Sequence, residues 1–224
     1  ALEHGAKWHW VMDDNINGFY RYNRNLKVQA TTSGPLEAME DFVARYENVL
    51  MAGPNYFMFV SRKSGAIPPF VTNTRIYSCN LIRSDAPFRW RGRYNEDTDL
   101  SLRMLKAGWC TVQFNAFLQY KMPTQSVAGG NSTEFYNLEG EMRRPGESYA
   151  TGGTLAKSQI QVRMHPDVSR LVWRFGRWHH RVDYRPFRSN KPRRRADAPD
   201  LEGVDNYGMA LLARDPQARR RAIR

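Results

Sequence analysis

The 224-residue chain predicts an α/β domain on a mainly parallel or mixed sheet, and three observations carry that prediction. Strand-like apolar runs alternate with segments of helical periodicity, the pattern of helices packed on a sheet. A hydrophobic share of 41% over this length suffices for a real core. The stretch WHWVMDDNING, residues 8–18, ends an apolar run abruptly on Asp13, Asp14 and Asn15. No core accepts three such groups unpaired, so the run reads as a strand delivering oxygen ligands to its carboxyl edge, where α/β sheets hold their ligands.

The elements follow in order. ALEHGAKW reads as the last turns of a helix running into the strand at about 8–13, and NINGFYRYNRNLK as a polar stretch in which Tyr20, Arg21, Tyr22 and Arg24 interleave aromatics with cations. PLEAMEDFVARYENVL, residues 35–50, places Leu36, Met39, Phe42, Val43, Tyr46, Val49 and Leu50 at helical spacing, with Pro35 at its start and Gly53-Pro54 beyond its end. NYFMFV, 55–60, reads as a buried strand, SRKSGAIPP as a turn and TRIYSCNLIRS as one or two short strands. A second helix spans 97–109 and stops at Gly108, with TVQFNAFLQYK after it as an alternating strand. QSVAGGNSTE is a Gly-Ser-Asn loop. Residues 1–168 form the expected catalytic domain; 169–224 are expected to be a basic aromatic helix followed, from about 186, by an Arg-rich linker or tail.

Charge is uneven. Lys and Arg number 34 against 22 acids, a net +12, and residues 161–224 hold 16 basic and 7 acidic groups. A basic C-terminal third on a nearly balanced domain implies a polyanionic partner, either nucleic acid or an anionic membrane surface. Arg170, Arg174, Arg177, Arg181, Arg185 and Arg188 recur every three or four residues among Trp173, Phe175, Trp178, Tyr184 and Phe187. That spacing suits a helix docked on the core with a solvated basic face, a phosphate-binding and base-stacking surface, or an interfacial helix. Two distant cysteines, Cys79 and Cys110, without metal-type spacing point to a reduced cytoplasmic setting, and no apolar run is long enough to span a bilayer.

Two acidic clusters could carry chemistry. Asp13-Asp14-Asn15 offers oxygens to a hard cation such as Mg²⁺ or Mn²⁺, or forms a solvated turn. NEDTDL, 95–100, sets Asn95, Glu96, Asp97 and Asp99 before a helix; one acid would satisfy the positive end of its dipole, and three are more than a cap needs. Arg89, Trp90, Arg91 and Arg93 precede it, and a carboxylate held among cations can serve as a general base.

The pair of clusters resembles the GT-A glycosyltransferases, with Asp13-Asp14-Asn15 in place of the DxD motif and Asn95-Glu96-Asp97 in place of the xED motif. Asn15 departs from the usual acid. The resemblance implies a Rossmann-like GT-A fold with flanking helices, and predicts that the N-terminal nucleotide-binding part of such a domain is not within this chain. A narrower resemblance, over about residues 1–185, is to the TET-associated glycosyltransferases of bacteriophages, carried by VMDDNI at 11–16, RYNEDTDLSLRMLKAGW at 93–109 and SVAGGN at 126–131.

It implies Mn²⁺ or Mg²⁺ held by Asp13, Asp14, Asn15 and a late histidine, His165, for which a plain surface or core histidine is the alternative. It further implies a nucleotide-sugar donor, expected to be a UDP-sugar, bound at Asp13 and Asp14. Asp97 is the expected base, with Glu96 and Asp99 beside it. Trp90, Arg91, Arg93, Arg174, Arg177 and Arg181 are expected on the acceptor, a 5-hydroxymethylcytosine or other hydroxymethylated pyrimidine in phage DNA, in the cytoplasm of an infected bacterium. The rivals are a glycan or lipid acceptor at a membrane, and a non-enzymatic nucleic-acid binder whose acids are caps.

Overall fold

Val49–Tyr56 is apolar along nearly its whole length, so it can only be stable covered on both faces, and in the computed structural model it is a central strand, β4. The structure describes residues 1–23, 25–60, 67–92, 94–121, 149–174 and 177–198. Around β4 a seven-stranded sheet is assembled from β1 (Trp8–Met12), β2 (Ile16–Asn23), β3 (Leu26–Ala30), β5 (Phe70–Thr72), β6 (Cys79–Arg83) and β7 (Cys110–Lys121). The order is β1-β6-β4-β7-β2-β3, with β5 also on β7. Only β4 and β7 pair in parallel, so the sheet is mixed and mostly antiparallel. This is a GT-A-like α/β arrangement, and it settles the choice left open between a mainly parallel and a mixed sheet.

Helix α1 (Gly34–Ala44) covers one face and α2 (Glu96–Lys106) the other. The alternation of β6 records this: Leu81 packs with Met39, Val43 and Phe117, whereas its neighbour Ile82 packs with Met51, Leu100 and Met104. Helix α3 (Tyr149–Met164) lies against a separate two-stranded ribbon, β8 (Ser169–Arg174) and β9 (Arg177–Val182). Leu102 and Leu105 of α2 meet Val168, Phe187, Val182 and Tyr184, which ties the ribbon's base to the main core.

Several expectations are corrected. The first helix ends at Ala44, and Val49, Leu50, Gly53 and Pro54 belong to β4. Pro54 is tolerated because the β4–β7 register shifts there. Gly53 is required by β6, since a Cβ at this position would stand 2.2 Å from the Cys79 carbonyl oxygen. The polar stretch NINGFYRYNRNLK supplies β2 and the start of β3, and ALEHGAKW enters β1 through a turn rather than a helix.

The basic segment 169–185 is not a helix. Its register sets Arg170 opposite Arg181 and Arg174 opposite Arg177, so one arginine spacing satisfies both a helix face and an antiparallel ribbon. The β-branched and aromatic content of the segment decides for the ribbon. Residues 186–198 are no free tail either. Asn190 donates to the Leu105 and Trp109 carbonyls, and the Arg193 backbone N–H to Asn48 Oδ1, which holds the segment against the core. Both cysteines are buried free thiols.

Candidate active site at the carboxyl edge

β1 and β4 both run antiparallel to β6, and β7 runs parallel to β4, so the carboxyl ends of β1, β4 and β7 lie at one edge with the start of β6. Polar groups concentrate there for that reason. The Asp13 backbone N–H donates to the Ser78 carbonyl, and the Asp13 carboxylate pairs with Lys121, the last residue of β7. Lys121 also donates to Ser78 Oγ at 3.0 Å, and that hydroxyl is 2.6 Å from the Tyr56 hydroxyl at the end of β4. Tyr56 packs on Tyr77 at 4.5 Å, and the Arg75 guanidinium lies 4.7 Å from the Tyr77 ring centre. A continuous polar and aromatic chain thus leads from Asp13 to Arg75.

Helix α2 brings the second acidic cluster to Arg75. The backbone N–H of Ile76 donates to Ser101 Oγ, fixing α2 to the segment before β6. Asn95 takes a left-handed conformation, φ 55°, and makes no side-chain cap; its amide instead donates to the Lys157 carbonyl at 2.8 Å, pinning α3 to the start of α2. Asp97 then sits half-buried with its Oδ1 accepting from the Thr98 backbone N–H at 2.6 Å. Burial, and next the Glu96 charge, push its carboxyl up to about 6 despite Arg75, Thr98 and Lys157. Lys157 is held below its ordinary value, chiefly by burial, although Asp97 and Glu96 favour its charge.

Asp99 plays a different part. It is fully buried and receives Arg91 through Nε and Nη2, Arg103 through Nε at 2.9 Å, and His165 Nε2 at 2.8 Å. Burial works against its charge, but His165, Arg91 and Arg103 overcome it and hold the carboxyl at about 2. His165 follows α3 rather than lying on a strand, is buried, and spends Nε2 on Asp99. Among the described residues no three His, Cys, Asp or Glu side chains gather to hold a metal, so His165 does not assemble with Asp13 and Asp14. Asp13 and Asp14 are exposed, and Asn15 Oδ1 is buried without a hydrogen-bond partner among the described residues.

Arg91 is committed to Asp99, and Trp90 is 41% exposed beside it. Arg174 and Arg181 are exposed on the ribbon. Arg93, the Arg177 side chain and the loop at 126–131 lie outside the described residues. The residues that sequence reasoning missed are Arg75, Tyr77, Lys121, Lys157 and His180, while Tyr184 was read only as one aromatic of the basic segment. Tyr77, Lys121 and Lys157 stand singly in ordinary stretches and His180 is hidden within the basic segment, so that only the lone Arg75 before CNLIR carried a readable signal.

No curated protein and no solved structure matches the chain. A family model described as TET-Associated Glycosyltransferase matches residues 1–130, a span that holds β1–β7, both acidic clusters, Arg75 and Lys121.

Proposed function

From the premise that the chain belongs to the TET-associated glycosyltransferase family, and is therefore a glycosyltransferase, we propose that it transfers a sugar from a nucleotide donor to a hydroxymethylated pyrimidine in DNA, 5-hydroxymethylcytosine being the expected acceptor, with inversion of configuration. The observation that carries the reading is the half-buried Asp97 carboxyl, pushed up to about 6 at the edge where β1, β4 and β7 end. A carboxylate with that affinity for a proton suits general-base work near neutrality. Asp97 takes the proton of the acceptor hydroxyl as its oxygen bonds to the anomeric carbon, and the bond from that carbon to the diphosphate breaks on the opposite face. Glu96 raises the basicity of Asp97, and Arg75 and Lys157 counter the local negative charge.

The oxygens at 13–15 fit a hard divalent ion: two exposed carboxylates stand beside the unpartnered Asn15 Oδ1. Asp13, Asp14 and Asn15 would hold Mn²⁺ or Mg²⁺, and His165, committed to Asp99, would not. The ion when bound neutralises charge on the leaving diphosphate of the donor, for which a UDP-sugar is the expected nucleotide sugar. Asp14→Ala is expected to abolish Mn²⁺-dependent turnover with an unchanged circular dichroism spectrum. Undiminished turnover in EDTA would sink the metal role.

For the acceptor strand, the ribbon offers Arg170, Arg174 and Arg181 on one face, with Trp173 and Trp178 stacked edge to face at 5.3 Å. Like charges directly opposite, as at Arg170 and Arg181, weaken a bare ribbon and are relieved by a polyanion. DNA affinity is expected to fall steeply with salt, and replacing Arg174 and Arg181 by Ala to reduce the slope of log affinity against log salt by about 1 per lost phosphate contact. Binding that tracks liposome charge and ignores DNA would instead favour a membrane-bound acceptor. The decisive experiment is mass spectrometry of nucleosides after incubation with hydroxymethylated DNA and a panel of nucleotide sugars. A glycosylated pyrimidine is the expected product; unmodified DNA with every donor would overturn the reading.

A further inference from the structure

A cavity of about 300 Å³ opens between Arg75 and the β8–β9 ribbon, in a part of the chain mostly beyond the family match. Its walls are Arg75, Arg174, Arg181, His179, His180 and Tyr184, floored by Val172 and Val182. Among the described residues no carboxylate lines it. Two of the lining residues carry a buried polar atom that makes no hydrogen bond of normal geometry to a described residue: His180 Nε2, and the Tyr184 hydroxyl, which stands beside the Arg75 backbone. A buried polar atom without a partner costs about 1–3 kcal/mol, so two of them on residues that line one cationic cavity favour a ligand that brings acceptor oxygens to them.

The electrostatics give that acceptor its sign. Burial, and then Arg75, Lys157 and His179, hold His180 down to about 4, so its ring is neutral chiefly because it is buried and next because cations surround it. A neutral imidazole protonated on Nε2 and a phenol are both donors, and guanidinium forks match the oxygens of a phosphoryl group. The volume lies at the small end of ligand pockets and excludes a whole nucleotide sugar, but it takes a phosphoryl group with part of the sugar attached to it. The site also adjoins the chemistry, since Arg75 and Lys157 act on both His180 and Asp97.

We propose that this cavity is a phosphate-binding subsite, in which Tyr184 and His180 donate to a phosphoryl oxygen that Arg75 and Arg181 neutralise, next to the base Asp97. Phosphate binding stands on the cavity alone. Only the source of the phosphate, the acceptor DNA backbone or the donor diphosphate, rests on the glycosyltransferase reading above.

The test is calorimetric titration of the full chain, in EDTA, with thymidine 3′,5′-bisphosphate and separately with uridine diphosphate. EDTA removes any binding that runs through a metal at Asp13 and Asp14. At least one probe is expected to bind, with affinity falling about tenfold in Tyr184→Phe and in His180→Ala. Tyr184→Phe removes one oxygen and keeps the packing, so it answers the question if His180→Ala does not fold. Preference for the bisphosphate assigns the site to the acceptor strand, and preference for uridine diphosphate to the donor. No binding of either probe in EDTA, or equal binding by wild type and Tyr184→Phe, overturns the subsite. Unmodified DNA in the nucleoside assay alongside intact phosphate binding would overturn the acceptor reading and leave the subsite standing.

Discussion

Asp97→Asn is expected to lower sugar transfer about 10²–10⁴-fold while donor and DNA still bind, because the amide keeps the carboxylate's size and loses only its ability to take a proton. The pH profile separates this from a structural effect. With the carboxyl pushed up to about 6, the wild-type rate should rise as pH passes through that region, and the variant's residual rate should not. Glu96→Gln removes the second-largest contribution to the upward shift, so the rising limb should move to lower pH while activity at neutral pH persists. Stability should change in the opposite sense to activity. A folded-state value above the ordinary 3.8 means that the folded protein holds the proton more tightly, so the contribution is present below about pH 4 and lost as pH rises through 6. Removing that ionisation should stabilise Asp97→Asn at pH 7–8 by on the order of 1–2 kcal/mol, after allowance for partial solvent exposure. Near-normal transfer by Asp97→Asn would return the carboxylate to the role of a helix-start group.

The parts of the candidate site that were legible in the sequence are those whose side-chain chemistry and local structure coincide. Asp13, Asp14, Glu96 and Asp97 announce themselves because each breaks a hydrophobic pattern at the end of a strand or the beginning of a helix, and the fold carries both breaks to one edge. His165 was legible as a residue but not as a partner. Its ring meets Asp99 across 66 residues of chain, through a helix end that periodicity did not place. The ribbon was misread for a geometric reason, since register pairs 170 with 181 and 174 with 177, spacings that a helix also brings to one side. Val49 and Leu50 extended the first helix by apolar periodicity alone, because a strand buried on both faces has no alternation to contradict it. Lys157 was invisible, Arg75 stood out only as a lone cation and Tyr184 only as one aromatic of the basic segment, because three different elements supply them singly and only packing gives them a common neighbour in Asp97.

Asp99→Ala is expected to cost about 3–5 kcal/mol in urea denaturation, the range for breaking a buried ion pair by removing one member. The carboxylate is wholly buried and serves three partners, so its loss strands the buried His165 Nε2 along with two guanidiniums. Arg91, 51% exposed, can turn to water, whereas Arg103 at 21% and His165 at 1% cannot do so without moving α2 or the end of α3. Asp99→Asn should recover part of the loss, since an amide can still meet His165 but cannot balance two cations. The pH dependence carries the sign of a depressed carboxyl. The network's contribution is full above about pH 4 and disappears as pH falls towards 2, so wild type and Asp99→Ala should converge in stability at low pH and differ most near neutrality. Activity should fall in both variants even where the protein remains folded, because the same helix start that carries Asp99 sets Asn95 on Lys157 and so fixes where Asp97 stands. A loss below 1 kcal/mol would mean that the buried charge is carried by other contacts, and that Asp97 is positioned by the Asn95–Lys157 bond and the Ser101–Ile76 bond alone.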